Sequence, residues 1–449
     1  MQWRKHRIMT EQNDPKAVQA SPTKEFFIYN ITKDIDTIDA IIELADNCID
    51  GARDLRGENS LKGLFIRIKV DENYFEITDN CGGIPIDVAR YRAFMFGRNK
   101  DSKAIPHSIG NFGVGMKRSL FKLGRVFQIE STAKNSQFSM HVDVQKWMGE
   151  EKWTFEFDDG FKEDMPLVVE SQRGTRILVE QLNKGISSDF KKDAFKRRLE
   201  LGLKSKHQTY LEKGIEISIN GVILSSTSPK IRLSNKITPA YKQLRLEDDQ
   251  LTVKIYAGLG DRDKDKAGWN VFCNGRLILE ADQSSVTGWT KEFGNPKFNN
   301  EFAWFRGFVF FESDQTDLLP WNTTKTSVDL DSVNYKYIQG QMGEVMRPIL
   351  NFMYKIAEEK KNSDDSDEDT PLEKIIKETN LVSLDSITEE QEFSAPLDIP
   401  PPVNNVRISY SKPKEEVDKL KRALGGINRN SELGKLTFEY VFRRECEDE

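Results

Sequence analysis

The pattern of apolar positions predicts a helix over residues 34–55. Its apolar side chains recur mostly every three or four residues and share one arc of a helical projection: Ile38, Ile41, Ile42, Ala45, Ile49 and Ala52. Glu43, Asn47 and Asp50 fall on the opposite arc, within about 60° of one another at roughly 100° per residue. A solvated polar face is the simpler interpretation for an isolated helix. A carboxylate that takes a proton from water, beside an amide oxygen suited to Mg²⁺, is the alternative.

Shorter apolar runs predict strands in two successive blocks of the chain. The first block has candidate strands at 64–70, 74–78, 125–130, 137–142 and 175–180. The second has candidate strands at 215–224, 251–257, 269–279 and 302–311, followed by a long helix at 332–360. Because several strands alternate with helices, we expect an α+β fold that begins with an α/β sandwich.

Length and local composition divide the chain into domains. At 449 residues it exceeds the size that one hydrophobic core usually covers. We expect a flexible N terminus at 1–22, a first domain at 23–185 and a second αβ domain at 186–360. An acidic run at 362–370 and a proline-rich stretch near 400 predict a linker over 361–404. Residues 405–449 are then a small αβ module, with a helix at 414–424.

Composition and charge exclude several classes of protein. No apolar run approaches the roughly 18 residues of a membrane span, and the N terminus lacks the apolar stretch of a signal peptide. Four cysteines stand singly, which favours a reducing cytoplasm over disulfides or zinc. The net charge of −6 opposes a general DNA-coating role, although the segment 188–213 is rich in lysine and arginine. That segment fits either a DNA-facing helix or a solvated one.

An Asp-Asn-Cys-Gly-Gly segment follows the candidate strand at 74–78. Asp79 offers a carboxylate acceptor, and Gly83 lies where a flat ligand can approach the backbone closely. An adenine amino group would suit this acceptor. The same residues are also ordinary turn chemistry, so the segment is weak by itself.

A second glycine motif, at 110, 113 and 115, comes before a predicted helix. Backbone N–H groups and the positive end of that helix can then face phosphates. Two known phosphate motifs are excluded. Walker A needs Gly-Lys-Ser/Thr, but Met116 follows Gly115, and a Rossmann fingerprint needs glycine where Arg118 stands.

The order and spacing of these motifs resemble the ATP-binding domain of the GHKL superfamily. Its members include gyrase, the ninety-kilodalton heat-shock chaperone, sensor histidine kinases and MutL. The resemblance covers roughly residues 25–180, from Glu-x-x-x-Asn-x-x-Asp at 43–50 to Gly-Thr at 174–175. Residues 109–115 look like the lid-end motif of the chaperone, and residues 95–100 look like the microrchidia (MORC) ATPases. The resemblance implies a Bergerat-type sandwich, an ATP ligand with Mg²⁺, and a lid at 85–109.

Individual roles follow from the resemblance alone. It implies that Glu43 activates the attacking water, Asn47 binds Mg²⁺ and Asp79 accepts from the adenine amino group. Gly83 lets the base lie against the backbone, and Thr175 supports Asp79 through its hydroxyl. The remaining expected nucleotide contacts are Asp50, Lys100, Gly110, Asn111, Phe112, Gly113, Val114, Gly115, Met116 and Lys117. Cys81 departs from the glycine common in the family, which puts the local turn geometry in question.

The second domain supplies one further candidate residue. Asn274-Gly275-Arg276 predicts a two-residue β-hairpin turn, and it resembles the Asn-Gly-Arg hairpin of the transducer domains of MutL and gyrase. About 50 residues later, Lys325 lies among hydroxyl-bearing residues in a segment that by composition is a solvated loop. The resemblance implies instead that this loop places Lys325 on the γ-phosphate.

The resulting hypothesis is a cytoplasmic, Mg²⁺-dependent ATPase that acts as a conformational clamp. ATP would close the lid and drive N-terminal homodimerisation on a DNA or protein client, in a setting such as DNA maintenance or anti-phage defence. The alternative is a nucleotide-gated scaffold or chaperone-like protein, with a partner docked on the C-terminal module. A sensor histidine kinase is disfavoured because His6 is the only histidine before residue 107. A type II topoisomerase is disfavoured because we find no DNA-cleavage domain.

Overall fold

The computed structural model describes residues 18, 22–57, 60–97, 109, 113–226, 228–362, 369–396, 408–425, 427 and 429–446. These residues form two compact units. The first unit contains the described residues up to 357 together with 371–396, and the second contains 358–362, 369–370 and 408–446. Within these described ranges, no helix is both long and apolar enough to cross a bilayer.

Seven strands form the first sheet: β1 Phe65–Val70, β2 Tyr74–Asp79, β3 Gly124–Thr132, β4 Gln137–Asp143, β5 Gly174–Leu182, β6 Glu216–Ile219 and β7 Val222–Ile223. They run in the order β4-β3-β5-β2-β1-β6-β7, and β1 and β6 are the parallel pair. The predicted strands of the first block are confirmed to within two residues at each end. The candidate at 215–224 is a hairpin, and its first strand extends the first sheet beyond the expected boundary at 185.

In the described part of the chain, seven α-helices accompany this sheet: α1 Thr37–Arg56, α2 Ile86–Val88, α3 Gly115–Leu123, α4 Val144–Met148, α5 Lys184–Phe190, α6 Asp193–Lys206 and α7 Gln208–Glu212. α1 begins where the Asp36 carboxylate accepts from Asp39 N, as the N-cap preference for short acidic residues requires. Its apolar arc is buried except for Ile38, which is half-buried, and the helix packs against α3 and α6. The predicted amphipathic helix is therefore confirmed, and its polar face meets the start of α3.

The second sheet has five strands, and β8 Lys230–Leu233 lies beside it. The five are β9 Ala240–Leu246, β10 Leu251–Leu259, β11 Gly268–Cys273, β12 Arg276–Asp282 and β13 Phe305–Glu312, in the order β12-β11-β13-β10-β9. Asn274 and Gly275 both have positive φ, 47° and 81°, as the predicted hairpin turn between β11 and β12 requires. The long helix α8 Val333–Asn362 follows.

Part of the expected linker belongs to the first unit, beside the second sheet. Within 361–404, the structure has α9 Pro371–Lys377 and β14 Asn380–Ser383, and β14 pairs antiparallel with β8. Leu384 and Ile387 join a buried cluster with side chains of the second sheet. The segment is too short to bury its apolar residues by itself, so its local pattern resembles that of a linker. Pairing with β8 and the second sheet supplies the missing core.

The C-terminal module differs from the expected αβ composition. Its described residues form two helices, α10 Lys414–Ala423 and α11 Asn430–Cys446, and no strand lies between 408 and 446 in the part that the structure describes. The helix predicted at 414–424 is confirmed. Residues 436–440 alternate apolar and polar like a strand, yet they lie in α11, where Thr437 Oγ1 donates to Leu433 O.

Candidate active site

Glu43 lies in the middle of α1, next to the start of α3. Its Oε2 accepts a hydrogen bond from Arg118 Nη2 at 2.7 Å, and the two side chains are 10% and 4% exposed. Arg118 lies one turn after the glycines at 113 and 115, so the α3 N terminus and the Glu43 carboxylate share one site. Such a buried, charge-assisted contact fixes the direction of the carboxylate.

Lys325 reaches the same carboxylate from the segment between β13 and α8. Its Nζ lies 3.7 Å from Glu43 Oε1 and 3.3 Å from Asp46 Oδ2, and the residue is 3% exposed. Asn322 closes the loop, because its side-chain oxygen accepts from Thr326 N at 3.0 Å. Lys325 has φ of 55°, a conformation that non-glycine residues seldom adopt. The structure thus brings together Glu43 and Lys325, the two residues that the sequence singled out for catalysis.

Asn47 and Asp50, on the following turns of α1, have different surroundings. Asn47 is exposed, and its Nδ2 donates to Glu43 O at 2.8 Å. Its amide oxygen accepts no hydrogen bond from the described residues. Asp50 is 7% exposed, and its Oδ1 accepts from Ile109 N at 2.6 Å. Asp50 therefore holds the backbone at the expected end of the lid.

The other end of the lid is held by aromatic and basic side chains. Phe96 stacks near Phe121 and Trp147, with ring centroids 6.2 and 5.9 Å apart. Lys117 Nζ donates to Ala93 O at 2.9 Å and to Met95 O at 2.6 Å, and burial lowers the pKa of Lys117 to about 7. Lys117 was expected to contact nucleotide. Here it binds the backbone that leads into the lid.

Asp79 lies at the end of β2 and is 9% exposed. Its Oδ1 accepts from Cys81 N at 2.7 Å. Burial raises the pKa of Asp79 to about 6, against the lowering effect of hydrogen bonds from Cys81, Cys48 and the backbone of Thr175. Thr175 therefore supports Asp79 through its N–H, whereas its hydroxyl pairs with Ser131 Oγ at 3.2 Å. This differs from the expected hydroxyl contact.

The turn that contains Cys81 relies on the glycines at 82 and 83. Both have positive φ, 99° and 71°, whereas Cys81 does not, so the turn needs no glycine at 81. A Cβ on Gly83 would lie 2.0 Å from Thr132 O. The glycine at 83 is therefore required by the neighbouring backbone at the end of β3, whatever else it contacts.

The glycine motif at 110, 113 and 115 lies only partly within the described residues. Gly113 has φ of 64°, Val114 is the N-cap of α3, and Met116 is 9% exposed. A Cβ on Gly115 would lie 2.1 Å from Glu43 Oε1. The glycine at 115 is thus required by the neighbouring carboxylate, whatever else it contacts. Lys100, Gly110, Asn111 and Phe112 lie outside the described residues.

Four side chains of this site were missed by sequence reasoning. Asp46, His207, Arg276 and Arg118 are all at most 4% exposed. Asp46 lies at the edge of the polar arc of α1, and Arg118 served only to exclude a Rossmann motif. The available signal was their charge beside motif residues. It does not identify partners that are 161 and 230 residues away in the chain.

The donor set fits a Mg²⁺ ion held jointly with a nucleotide. No group of three or more His, Cys, Asp or Glu capable of holding a metal occurs among the described residues. Mg²⁺ in nucleotide sites needs only one or two protein oxygens, with phosphates and water completing the shell. The exposed Asn47 amide oxygen, one turn from Glu43, could supply one such oxygen.

A polar cavity of about 560 Å³ lies against β2, β3 and β5, and Asp79 and Thr175 are among its lining residues. Its lining includes Thr78, Gln128, Glu130 and Arg176, which alternate along their strands with side chains buried under the helices. Glu43, Asn47 and Lys325 do not line it. The cavity therefore lies mainly on the sheet face opposite the cluster around Glu43.

Residues 35–197 match the family described as Histidine kinase-, DNA gyrase B-, and HSP90-like ATPase. This stretch is a GHKL-type ATPase domain. The match supports ATP binding and hydrolysis, and it contains Glu43, Asn47, Asp50, Asp79 and Thr175. Lys325 lies beyond the GHKL-type domain, in the second half of the chain. No match was found among curated proteins.

Proposed function

We propose that the protein is a Mg²⁺-dependent ATPase whose two domains share one catalytic site. The observation that carries this proposal is the position of Lys325, which lies on the second domain yet contacts Glu43 of the GHKL-type domain. A site assembled from two domains links the state of the nucleotide to their relative position. We also propose that its subtype is that of the MORC-like or chaperone-like stand-alone ATPases.

Each residue then has a defined task. Glu43 accepts a proton from the attacking water, and Arg118 keeps its Oε2 in place. Asp79 accepts from the adenine amino group, and the backbone at Gly83 lies against the base. Asn47 would hold Mg²⁺, which supplies charge neutralisation at the phosphates when bound. The Lys325 ammonium stabilises negative charge on the γ-phosphate.

We also propose that ATP orders the lid and favours a homodimer through the N-terminal domain. The described ends of the lid support this, since Asp50 and Lys117 bind its backbone close to the α3 N terminus. Turnover is then slow, because lid and domain movements precede chemistry.

Three side chains of α6 support a DNA client: Lys196, Arg197 and Arg198. The other basic residues of the 188–213 segment are engaged within the chain, for example Lys191 with Glu72 and Lys206 with Ile278 O. Replacing all three with alanine should reduce the slope of log affinity against log salt concentration by about 2.7 in magnitude, at roughly 0.9 per phosphate contact. Absence of DNA binding at about 50 mM salt would exclude this client.

The alternative is a nucleotide-gated scaffold that binds a protein through its C-terminal module. Exposed apolar residues on α11, such as Phe438 and Phe442, favour such a contact. A scaffold needs bound ATP but not its hydrolysis. A hydrolysis-deficient variant with full biological activity would therefore support the alternative.

The main test is Glu43→Gln, which keeps the shape of the side chain and removes the base. Hydrolysis should fall at least about 100-fold, the lower range for a general base, while ATP binding is retained. Particle size in ADP, ATP and a non-hydrolysable analogue should show a dimer that persists in ATP only for this variant. Glu180→Gln, at an exposed position on β5, is the matched control. Hydrolysis at the native rate by Glu43→Gln would refute the assignment.

A further inference from the structure

One buried carboxylate, Asp46, contacts basic side chains from three places later in the chain, two of them in its second half. Arg276 Nε, at the start of β12, lies 3.0 and 3.3 Å from its two oxygens. His207 Nε2, between α6 and α7, lies 2.8 Å from Oδ1, and Lys325 Nζ lies 3.3 Å from Oδ2. None of these four residues is more than 3% exposed. Asp46 is thus the point where α1 meets the second half of the chain.

The three partners of Asp46 differ in charge. Burial alone would raise the pKa of Asp46, but Arg276, Lys325 and the hydrogen bond with His207 hold it well below its usual value. Burial lowers the pKa of His207, so at neutral pH it is an uncharged donor to the carboxylate. Arg276 and Lys325 are therefore the charged partners of Asp46.

Of these two partners, Lys325 is the one that can move away from Asp46. Its ammonium lies between two carboxylates of α1, those of Asp46 and Glu43. Arg276 faces both oxygens of Asp46, and its Nη1 donates to Leu277 O at 3.0 Å. If Lys325 moves toward a phosphate, Asp46 keeps a charged partner and a hydrogen-bond donor. An anion left without a partner in the interior would make the same movement costly.

The hairpin that carries Arg276 is fixed to α1 and α7. Arg53 Nη1 lies 3.3 Å from Asn274 O at the hairpin tip, and the Tyr210 hydroxyl donates to the same carbonyl. Asn274 Nδ2 donates to Ser313 O at 2.9 Å, which ties the tip to the end of β13. A shift of the second sheet relative to α1 must therefore disturb these contacts together with the one between Arg276 and Asp46.

We propose that Asp46 is a positioning residue that sets where Lys325 lies between Glu43 and the γ-phosphate. Arg276 transmits the position of the second sheet to this contact through Asp46. The inference rests on the proposed ATPase function and on the role of Lys325 in it. Neither Asp46 nor Arg276 needs to touch the nucleotide.

A double-mutant cycle tests the inference, with kcat and ATP affinity measured separately on the full chain. Asp46→Asn keeps an oxygen acceptor for Arg276 and His207 but removes the charge. It should lower kcat about tenfold or more and change ATP affinity less than about threefold. In the Lys325→Ala background, Asp46→Asn should cause little further loss. Asp54→Asn, at an exposed position on α1, is the matched control.

Arg276→Lys provides a second route that keeps a positive charge if Asp46→Asn fails to fold. Its effect on kcat should likewise disappear in the Lys325→Ala background, with the urea midpoint reporting the fold. Losses that add in either double variant would overturn the inference and leave the ATPase proposal intact. A native rate of hydrolysis in Lys325→Ala would contradict both.

Discussion

Arg118 Nη2 lies 2.7 Å from Glu43 Oε2, and the contact joins the first turn of α3 to the middle of α1. The proposed general base is thus oriented by the same helix whose N terminus follows the glycine motif. A residue three positions after Gly115 therefore orients the proposed general base, although it belongs to no phosphate-binding motif. Changes at either end of this contact should affect chemistry more than binding.

Arg118→Ala should lower kcat about 10- to 100-fold, because one charge-assisted hydrogen bond is worth roughly 1.5–3 kcal/mol. ATP affinity should change little, since the lost contact orients the base. Steady-state hydrolysis and equilibrium binding, measured on the same preparations, check this. Arg197→Ala, at an exposed arginine on α6, serves as the control. Equal loss in kcat and in affinity would mean that Arg118 binds nucleotide directly.

Gly115→Ala should abolish most hydrolysis without unfolding the domain. The new Cβ would lie 2.1 Å from Glu43 Oε1, so the carboxylate must leave its position. Gly185→Ala is a matched control, because no atom lies within 4 Å of a Cβ there. The measurement is ATPase rate together with the thermal unfolding midpoint. An active Gly115→Ala enzyme would show that Glu43 does not need its present position.

Adenine nucleotides should bind more weakly below pH 6. Burial raises the pKa of Asp79 to about 6 from an ordinary value of 3.8, so its charge is present above pH 6 and lost as pH falls. Mg-ADP affinity should be about five- to tenfold lower at pH 5 than at pH 8. Inosine diphosphate has the same phosphates but no amino donor at position 6, so calorimetry should show a flatter profile for it. Identical profiles for the two nucleotides would remove Asp79 from adenine recognition.

Leu384→Ala should destabilise the first unit by about 2–4 kcal/mol, as expected for a buried leucine. Leu384 is 5% exposed and belongs to the cluster shared with the second sheet. Leu381, nearby and 38% exposed, is the control for the same substitution. Urea unfolding followed by tryptophan fluorescence measures both. Small, equal losses in the free energy of unfolding of the two variants would show that this segment is a linker and not part of the core.

Local patterns were enough to predict the elements of the site. The 3.6-residue period gave α1 its buried and polar arcs, and Asn274-Gly275 gave the hairpin, because helical period and turn chemistry depend on near neighbours. Lys325 was found through resemblance, from the order of elements along the chain. The turn at Gly82 and Gly83 also follows from residue type, since both positions need positive φ.

Interactions between distant residues were decided only by the tertiary structure. Asp46 and Arg276 are 230 residues apart, and the local sequence around either residue does not predict that the two pair. The same holds for Arg118 with Glu43, and for β14, which becomes a strand by pairing with β8. The sequence by itself determined α1, the strands β1 to β5 and the turn at Asn274-Gly275, because those depend on local spacing. The tertiary structure decided which charges share a buried site, because burial makes an ionised group depend on a partner from anywhere in the chain.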